Sequence, residues 1–206
     1  MLPKDYTERL FNIKTEADFN AIALEAFRFQ GENNTVYKAF VSRIGCAIEN
    51  ISDVNQIPFL PIEFFGTQTV FSGIKQPDLF FTSSGTTGSV GNRHYVADTA
   101  IYEKSAFFGF ELFYGPVADY TFLALLPSNL EKKDSSLAWM TDRLIRTSNF
   151  PDESGFWLHD YDGLIHKLEM LKDKESYTIL LGLSYALLDL AEQIPFKIPE
   201  IIIMET

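Results

Sequence analysis

The chain has 206 residues, 46% of them hydrophobic and 15% aromatic, enough to bury a substantial core in one or two domains. A formal net charge of −11 and a sequence pI of about 4.7 disfavour non-specific attraction to nucleic acid or to an anionic membrane surface. No apolar run reaches the length of a bilayer span, the start lacks a signal-peptide pattern, and the single cysteine, Cys46, excludes an internal disulfide. The expectation is a soluble cytoplasmic protein with no nucleic-acid partner and no membrane insertion.

Residues 1–55 read as a helical N-terminal segment and residues 56–206 as an α/β region. Thr15 is a candidate N-cap with Asp18 at the capping-box position. Phe19, Ile22, Ala23, Ala26 and Phe27 then recur at a helical period, which Gly31 is expected to end. A second helix starts at Asn34 or Thr35 and carries Val36, Tyr37, Phe40, Val41, Ile44 and Ile48 on its stripe. The pair reads as packing on something larger. Cys46 falls on or beside the second stripe, where a small core residue is a better reading than a nucleophile. Pro58 and Pro61 then enforce extended backbone in a connection whose Thr69-Val70-Phe71 reads as a short strand.

From residue 78 strands and helices alternate. Strands are expected at 78–82, 120–126, 156–159, 176–182 and 200–204, and helices at 98–113, 135–147, 162–172 and 184–193. Runs that are apolar throughout, such as Phe122-Leu123-Ala124-Leu125-Leu126 and Ile179-Leu180-Leu181, belong to a sheet covered on both faces. The alternation predicts an α/β fold with a mostly parallel sheet covered by helices.

Chemistry concentrates in residues 78–91. A strand-forming run ends in Ser83-Ser84-Gly85-Thr86-Thr87-Gly88-Ser89-Val90-Gly91. Glycines at 85, 88 and 91 let the main chain approach a ligand closely and turn successive amides into one concavity. The hydroxyls of Ser83, Ser84, Thr86, Thr87 and Ser89 add donors for phosphate oxygens without fixed charge. The loop is not a Walker motif, because Gly88 is followed by Ser89 and not by lysine. A Gly/Ser/Thr surface turn is the plain alternative; the position directly after a strand favours a ligand loop. Arg93 is the first cation after it and His94 follows; the plain alternative for both is exposed strand residues. Ser184 stands where a strand turns into a helix, an N-cap position. His159 and His166, near Asp160 and Asp162, match no metal-ligand spacing, and no Gly-x-Ser-x-Gly nucleophile motif is present.

Ser83-Ser84-Gly85-Thr86-Thr87-Gly88 resembles the phosphate loop of the adenylate-forming enzymes, in the form found in phenylacetate–coenzyme A ligases and bioluminescence acyl-protein synthetases. Leu60-Pro61-Ile62-Glu63-Phe64-Phe65 is similar to the Pro-containing segment preceding that loop in the synthetases. Leu126-Pro127 with Ser135-Ser136-Leu137-Ala138-Trp139-Met140 is similar to a later segment of the same group. Ser184-Tyr185-Ala186-Leu187 resembles the ligases' Pro-Ser-Tyr-Ala-Leu turn, with Leu183 in place of the proline.

The resemblance implies activation of a fatty or aryl carboxylic acid by ATP and Mg2+ to an acyl-adenylate. The acyl group would then pass to a thiol, of coenzyme A or of a protein cysteine, with an acyl-carrier or reductase protein as partner. It implies that Ser83, Ser84, Gly85, Thr86, Thr87, Gly88 and Ser89 hold the ATP phosphates and that Thr86, Thr87 and Arg93 stabilise charge on them. It also implies that His94, Ser184 and Tyr185 line the acid's pocket. Many relatives have a lysine where this chain has Ser89, which leaves the cationic role to Arg93. The acyl-carrying cysteine of the synthetases lies late in their chains, so Cys46 does not inherit that part. In the relatives a strand like Ile201-Ile202-Ile203-Met204-Glu205-Thr206 leads into a glycine turn, a Tyr-Gly-x-Thr-Glu motif, a ribose-binding aspartate and a lysine-bearing C-terminal domain. None of these is present, so the resemblance implies an N-terminal fragment with little activity by itself. The alternative from another class is a non-catalytic interaction module that keeps the fold.

Overall fold

The capping chemistry at Thr15 forms as the sequence predicts. The structure, a computed structural model, describes residues 3–73, 76–83, 92–171, 177–194 and 201–206. In it the Thr15 hydroxyl accepts from the Asp18 amide at 3.1 Å and the Asp18 carboxylate accepts from the Thr15 amide at 3.0 Å. This box opens α2 (Glu16–Asn33), preceded by the short α1 (Tyr6–Leu10), whose Arg9 pairs with Glu25 of α2 at 2.7 Å. Gly31 does not end α2. The helix runs two residues further, and Gly31 is buried inside it because a Cβ there would run into the Ile48 side chain. Asn34 then caps α3 (Thr35–Arg43), its Oδ1 accepting from the Tyr37 amide at 3.0 Å.

The chain divides into two compact units, Met1–Tyr102 and Glu103–Thr206. The core of the first joins Phe27 of α2 to Tyr37 and Val41 of α3, with Ile48, Ile51, Ile57 and Leu60 packed around them. After two 3-10 turns, a one-turn helix α4 (Phe64–Thr67) leads to coil at residues 69–71, where a strand was expected. Two strands follow, β1 (Leu79–Thr82) and β2 (Arg93–Val96), paired antiparallel in the register Leu79↔Val96 to Thr82↔Arg93. They form a separate two-stranded sheet. The sequence reading placed the first strand in the parallel sheet, which this hairpin corrects; Arg93 and His94 are exposed strand residues, one of the two readings the sequence offers for them.

In the second unit the α/β reading holds. Helix α5 (Thr99–Tyr114) begins just before the unit boundary, with Asp98 Oδ1 accepting from the Ala100 amide at 2.9 Å. Then come β3 (Tyr120–Leu125), α6 (Ser136–Thr147), β4 (Gly155–Phe156), α7 (Tyr161–Leu171), β5 (Tyr177–Gly182), α8 (Ser184–Gln193) and β6 (Ile202–Glu205). The four strands are parallel in the order β4-β3-β5-β6.

All six residues of β3 are buried, which is why that stretch reads as continuous apolar sequence and not as alternation. Its alternate side chains serve different layers. Tyr120, Phe122 and Ala124 join Ile179 and Leu181 against Phe107 and Phe110 of α5 and Leu144 of α6. Leu123 and Leu125 join Leu180 against Leu164 and Leu168 of α7 and Ala186 and Leu190 of α8. Right-handed crossovers explain the division. The chain leaves β3 toward β4 in one direction, then works back across through β5 to β6 in the other, so α6 lies on one face and α7 and α8 on the opposite one.

Candidate functional site

The predicted phosphate loop connects the two strands of the hairpin. Ser84, Gly85, Thr86, Thr87, Gly88 and Ser89 lie outside the described residues; the two ends of the connection are within them. The Ser83 amide donates to the Asn92 carbonyl oxygen at 3.0 Å and the Asn92 amide donates to the Ser83 hydroxyl at 3.1 Å. One backbone bond and one bond to a side chain thus tie the two ends of the connection together just past Thr82↔Arg93. The Ser83 hydroxyl accepts from Asn92 with one of its lone pairs.

Arg93 opens β2 and is exposed. Its guanidinium sits 5.2 Å from the centroid of the Phe80 ring, a cation–π contact that restrains the side chain. His94, the next residue, stacks on Phe65 of α4, with ring centroids 6.5 Å apart and planes 20° from parallel. The same short helix approaches the loop mouth, since a Cβ on Gly66 would stand 2.6 Å from Asn92 Oδ1. Leu60–Phe65, singled out in the sequence for its resemblance, therefore leads into the helix that lies against the loop's base.

Behind His94 the first unit contains a cavity of about 640 Å3, walled by α2, residues 54–72 and β2. Phe19, Phe27, Phe59, Phe65 and Phe71 give it an apolar lining, and Tyr37 closes one side. Burial pushes the Tyr37 hydroxyl up to about 12 from an ordinary 10.0, with the nearby Cys46 adding in the same direction. The protonated form donates to the Pro58 carbonyl oxygen at 2.6 Å. This sets a pH dependence. The unfolded chain loses the proton near pH 10 whereas the folded one keeps it to about 12, so the contribution is complete below pH 10 and lost as pH rises between those values. Tyr37→Phe is expected to flatten that alkaline decline, as read by circular dichroism from pH 9 to 12.

Ser184 and Tyr185 belong to the second unit, at the carboxyl end of β5. The order β4-β3-β5-β6 puts the reversal of winding between β3 and β5, the place where open parallel sheets present a crevice. Ser184 is not the N-cap of α8. Leu183 holds that position, its amide donating to the Leu125 carbonyl oxygen at 3.3 Å, and Ser184 is the first helical residue. Its hydroxyl donates instead to Glu205 Oε1 at 2.6 Å, tying the start of α8 to the end of β6. Tyr185 is exposed. Glu205 escaped the sequence reading because only strand pairing, Gly182↔Glu205, brings it to this edge.

His159 pairs with Glu131 at 3.0 Å, and Glu131 also accepts from the Ser128 hydroxyl and amide, a surface arrangement that holds the Glu131 carboxyl below the usual carboxylate range. Among the described residues no group of three or more His, Cys, Asp or Glu side chains is placed to hold a metal ion. Nor does any helix among them have the length and apolarity to cross a membrane. Comparison with protein-family models, with curated proteins and with solved structures gives no match. The functional reading therefore rests on the chain's own residues.

Proposed function

We propose that the protein takes part in ATP-dependent activation of a carboxylic acid. A carboxylate oxygen attacks the α-phosphorus of ATP, the α–β phosphoanhydride bond breaks, and pyrophosphate leaves with the bonding pair. A thiol sulfur, of coenzyme A or of a protein cysteine, then attacks the acyl carbon and AMP departs. The chain's part in the first step is to grip the outer phosphates with the amides and hydroxyls of Ser83–Ser89, Thr86 and Thr87 included, so that the leaving group lies in line. Arg93 at the loop's base supplies the positive charge. Magnesium, when carried by the nucleotide, draws most of its ligands from phosphate and water and needs one or two protein carboxylates at most.

The observation that supports this reading best is the pair of hydrogen bonds between Ser83 and Asn92, which holds together both ends of a glycine- and hydroxyl-rich connection. Its test is calorimetric titration of the intact chain with magnesium-ATP, alongside Gly85→Val and Gly88→Val. Each branched side chain would block close approach of a phosphate to the main chain. The expected result is saturable binding that each substitution weakens at least about tenfold, with helix content unchanged. Absence of binding, or equal binding by all three proteins, would refute the proposal.

A further inference from the structure

Charge and ring content together decide what the hollow of the first unit can hold. Six phenylalanines and two tyrosines line it, and no Lys, Arg, Asp or Glu is among the described residues that border it. A charged ligand would shed its hydration there with no opposite charge to replace it, so an uncharged one is favoured. Against so many rings a planar aromatic gains edge-to-face and offset-stacked contacts beyond the area it buries, and a saturated molecule does not. Ring pairs of both kinds already stand in the wall. Phe71 meets Tyr95 edge-on, with centroids 6.3 Å apart and planes at 64°, and Phe65 lies nearly parallel to His94. Phe19 and Phe59 line the hollow and are also exposed, which marks its opening.

Volume sets the size. An apolar cavity of about 150 Å3 suffices for benzene, so a single ring would leave most of the 640 Å3 empty and forfeit contact with the far wall. About two or three fused rings match the space, which lies within the range of small-molecule sites. Ala23 and Ala26 of α2 border it with little bulk. Three polar residues of the wall are already engaged: Asn34 Nδ2 donates to Ser72 Oγ at 3.0 Å, and Tyr37 donates to Pro58. Among the described residues the exposed Gln30 side chain has no hydrogen-bond partner. Its carboxamide presents an N–H donor and a C=O acceptor side by side, the complement of a ring edge that carries an adjacent carbonyl and N–H. We infer that the cavity binds an uncharged, planar fused-ring lactam, with its rings over Ala23 and Ala26 and its amide edge paired with Gln30. This site is independent of the ATP reading.

The test is calorimetric titration of the intact chain, without nucleotide, with 2-pyridone, 2-quinolinone and phenanthridinone, which carry the same lactam edge on one, two and three rings. Affinity is expected to rise about five- to tenfold with each added ring. 2-Naphthoate and N-methylquinolinium, two-ring compounds of opposite charge, are expected to bind at least about tenfold more weakly than 2-quinolinone. Its fully saturated analogue, with the same lactam and no aromatic plane, is expected to be weaker by at least about threefold. Gln30→Leu is expected to weaken 2-quinolinone about fivefold and leave naphthalene unchanged, and Ala26→Phe, which fills the hollow, to weaken both. In the unaltered protein, ring protons of 2-quinolinone are expected to show nuclear Overhauser effects to the Ala23 and Ala26 methyl groups, a readout that does not depend on any variant folding. Absence of saturable binding across the series, equal binding of either charged compound or of the saturated lactam, or absence of those effects overturns the inference. So does indifference of 2-quinolinone to Gln30→Leu or to an Ala26→Phe protein that circular dichroism shows to be folded.

Discussion

Leu123→Ala is expected to lower the unfolding free energy of the second unit by about 3 kcal/mol. Leu123 has no exposed surface and occupies the centre of β3, opposite Leu180 of β5 on one side and Gly155 of β4 on the other. Its side chain belongs to the layer shared with Leu164, Leu168 and Leu190, all at most 1% exposed. Truncation removes the transfer free energy of three carbons and leaves a hollow that a parallel sheet hydrogen-bonded on both sides cannot close by moving a strand. The readout is direct, because both tryptophans, Trp139 and Trp157, lie in this unit. A urea titration followed by tryptophan emission is expected to show an earlier midpoint with a similar slope. Leu188→Ala, at a position 68% exposed on α8, is the control and is expected to stay within about 0.5 kcal/mol of the parent. Equal effects at the two positions would contradict the layer assignment.

Asn34→Ala is expected to cost the first unit about 2 kcal/mol. Asn34 is 4% exposed and does two things at once: its Oδ1 caps α3 through the Tyr37 amide and its Nδ2 donates to Ser72. Alanine removes the cap, worth about 1 kcal/mol, and leaves a buried amide and hydroxyl short of partners, at about 1 kcal/mol more. Asn34→Asp keeps the cap acceptor and can accept from the Ser72 hydroxyl, so it is expected to recover most of the loss. Tryptophan emission does not report this region directly, and the loss is expected in far-ultraviolet circular dichroism, where α2 and α3 dominate the first unit. An alanine variant as stable as the parent would show that the cap and the Ser72 contact carry little weight.

The sequence disclosed the second unit well because its signals are local or continuous. β3 and β5 are buried along nearly their whole length, so their apolar runs need no knowledge of partners. The same holds for the Thr15–Asp18 box, whose members are three residues apart. What escaped depends on pairing across the chain. For Arg93 and His94 the sequence leaves ligand-facing and exposed strand readings open, and the pairing with Leu79–Thr82 decides for the strand. Thr69-Val70-Phe71 has the residue types of a strand but pairs with no strand among the described residues, and is coil. Ser184 has the identity of a cap, but the Glu205 carboxylate, supplied by the adjacent strand, draws its hydroxyl away from the helix amides.

The candidate site shows the same limit. The glycines and hydroxyls of the loop are visible as composition; its attachment to an antiparallel hairpin is not. On α2, periodicity identifies a face and says nothing of depth, so Ala23 and Ala26 read as packing positions when they border a hollow.

The hairpin also bears on the order in which the molecule forms. Thr82 and Arg93 are near neighbours along the chain, whereas Leu123 must wait for Leu180 to arrive after two helix-bearing crossovers. Hairpins close in roughly microseconds, and pairings between distant segments are slower because loop closure must precede them. A refolding or newly synthesised chain would thus join the two ends of its glycine-rich segment while the parallel layer is still unassembled.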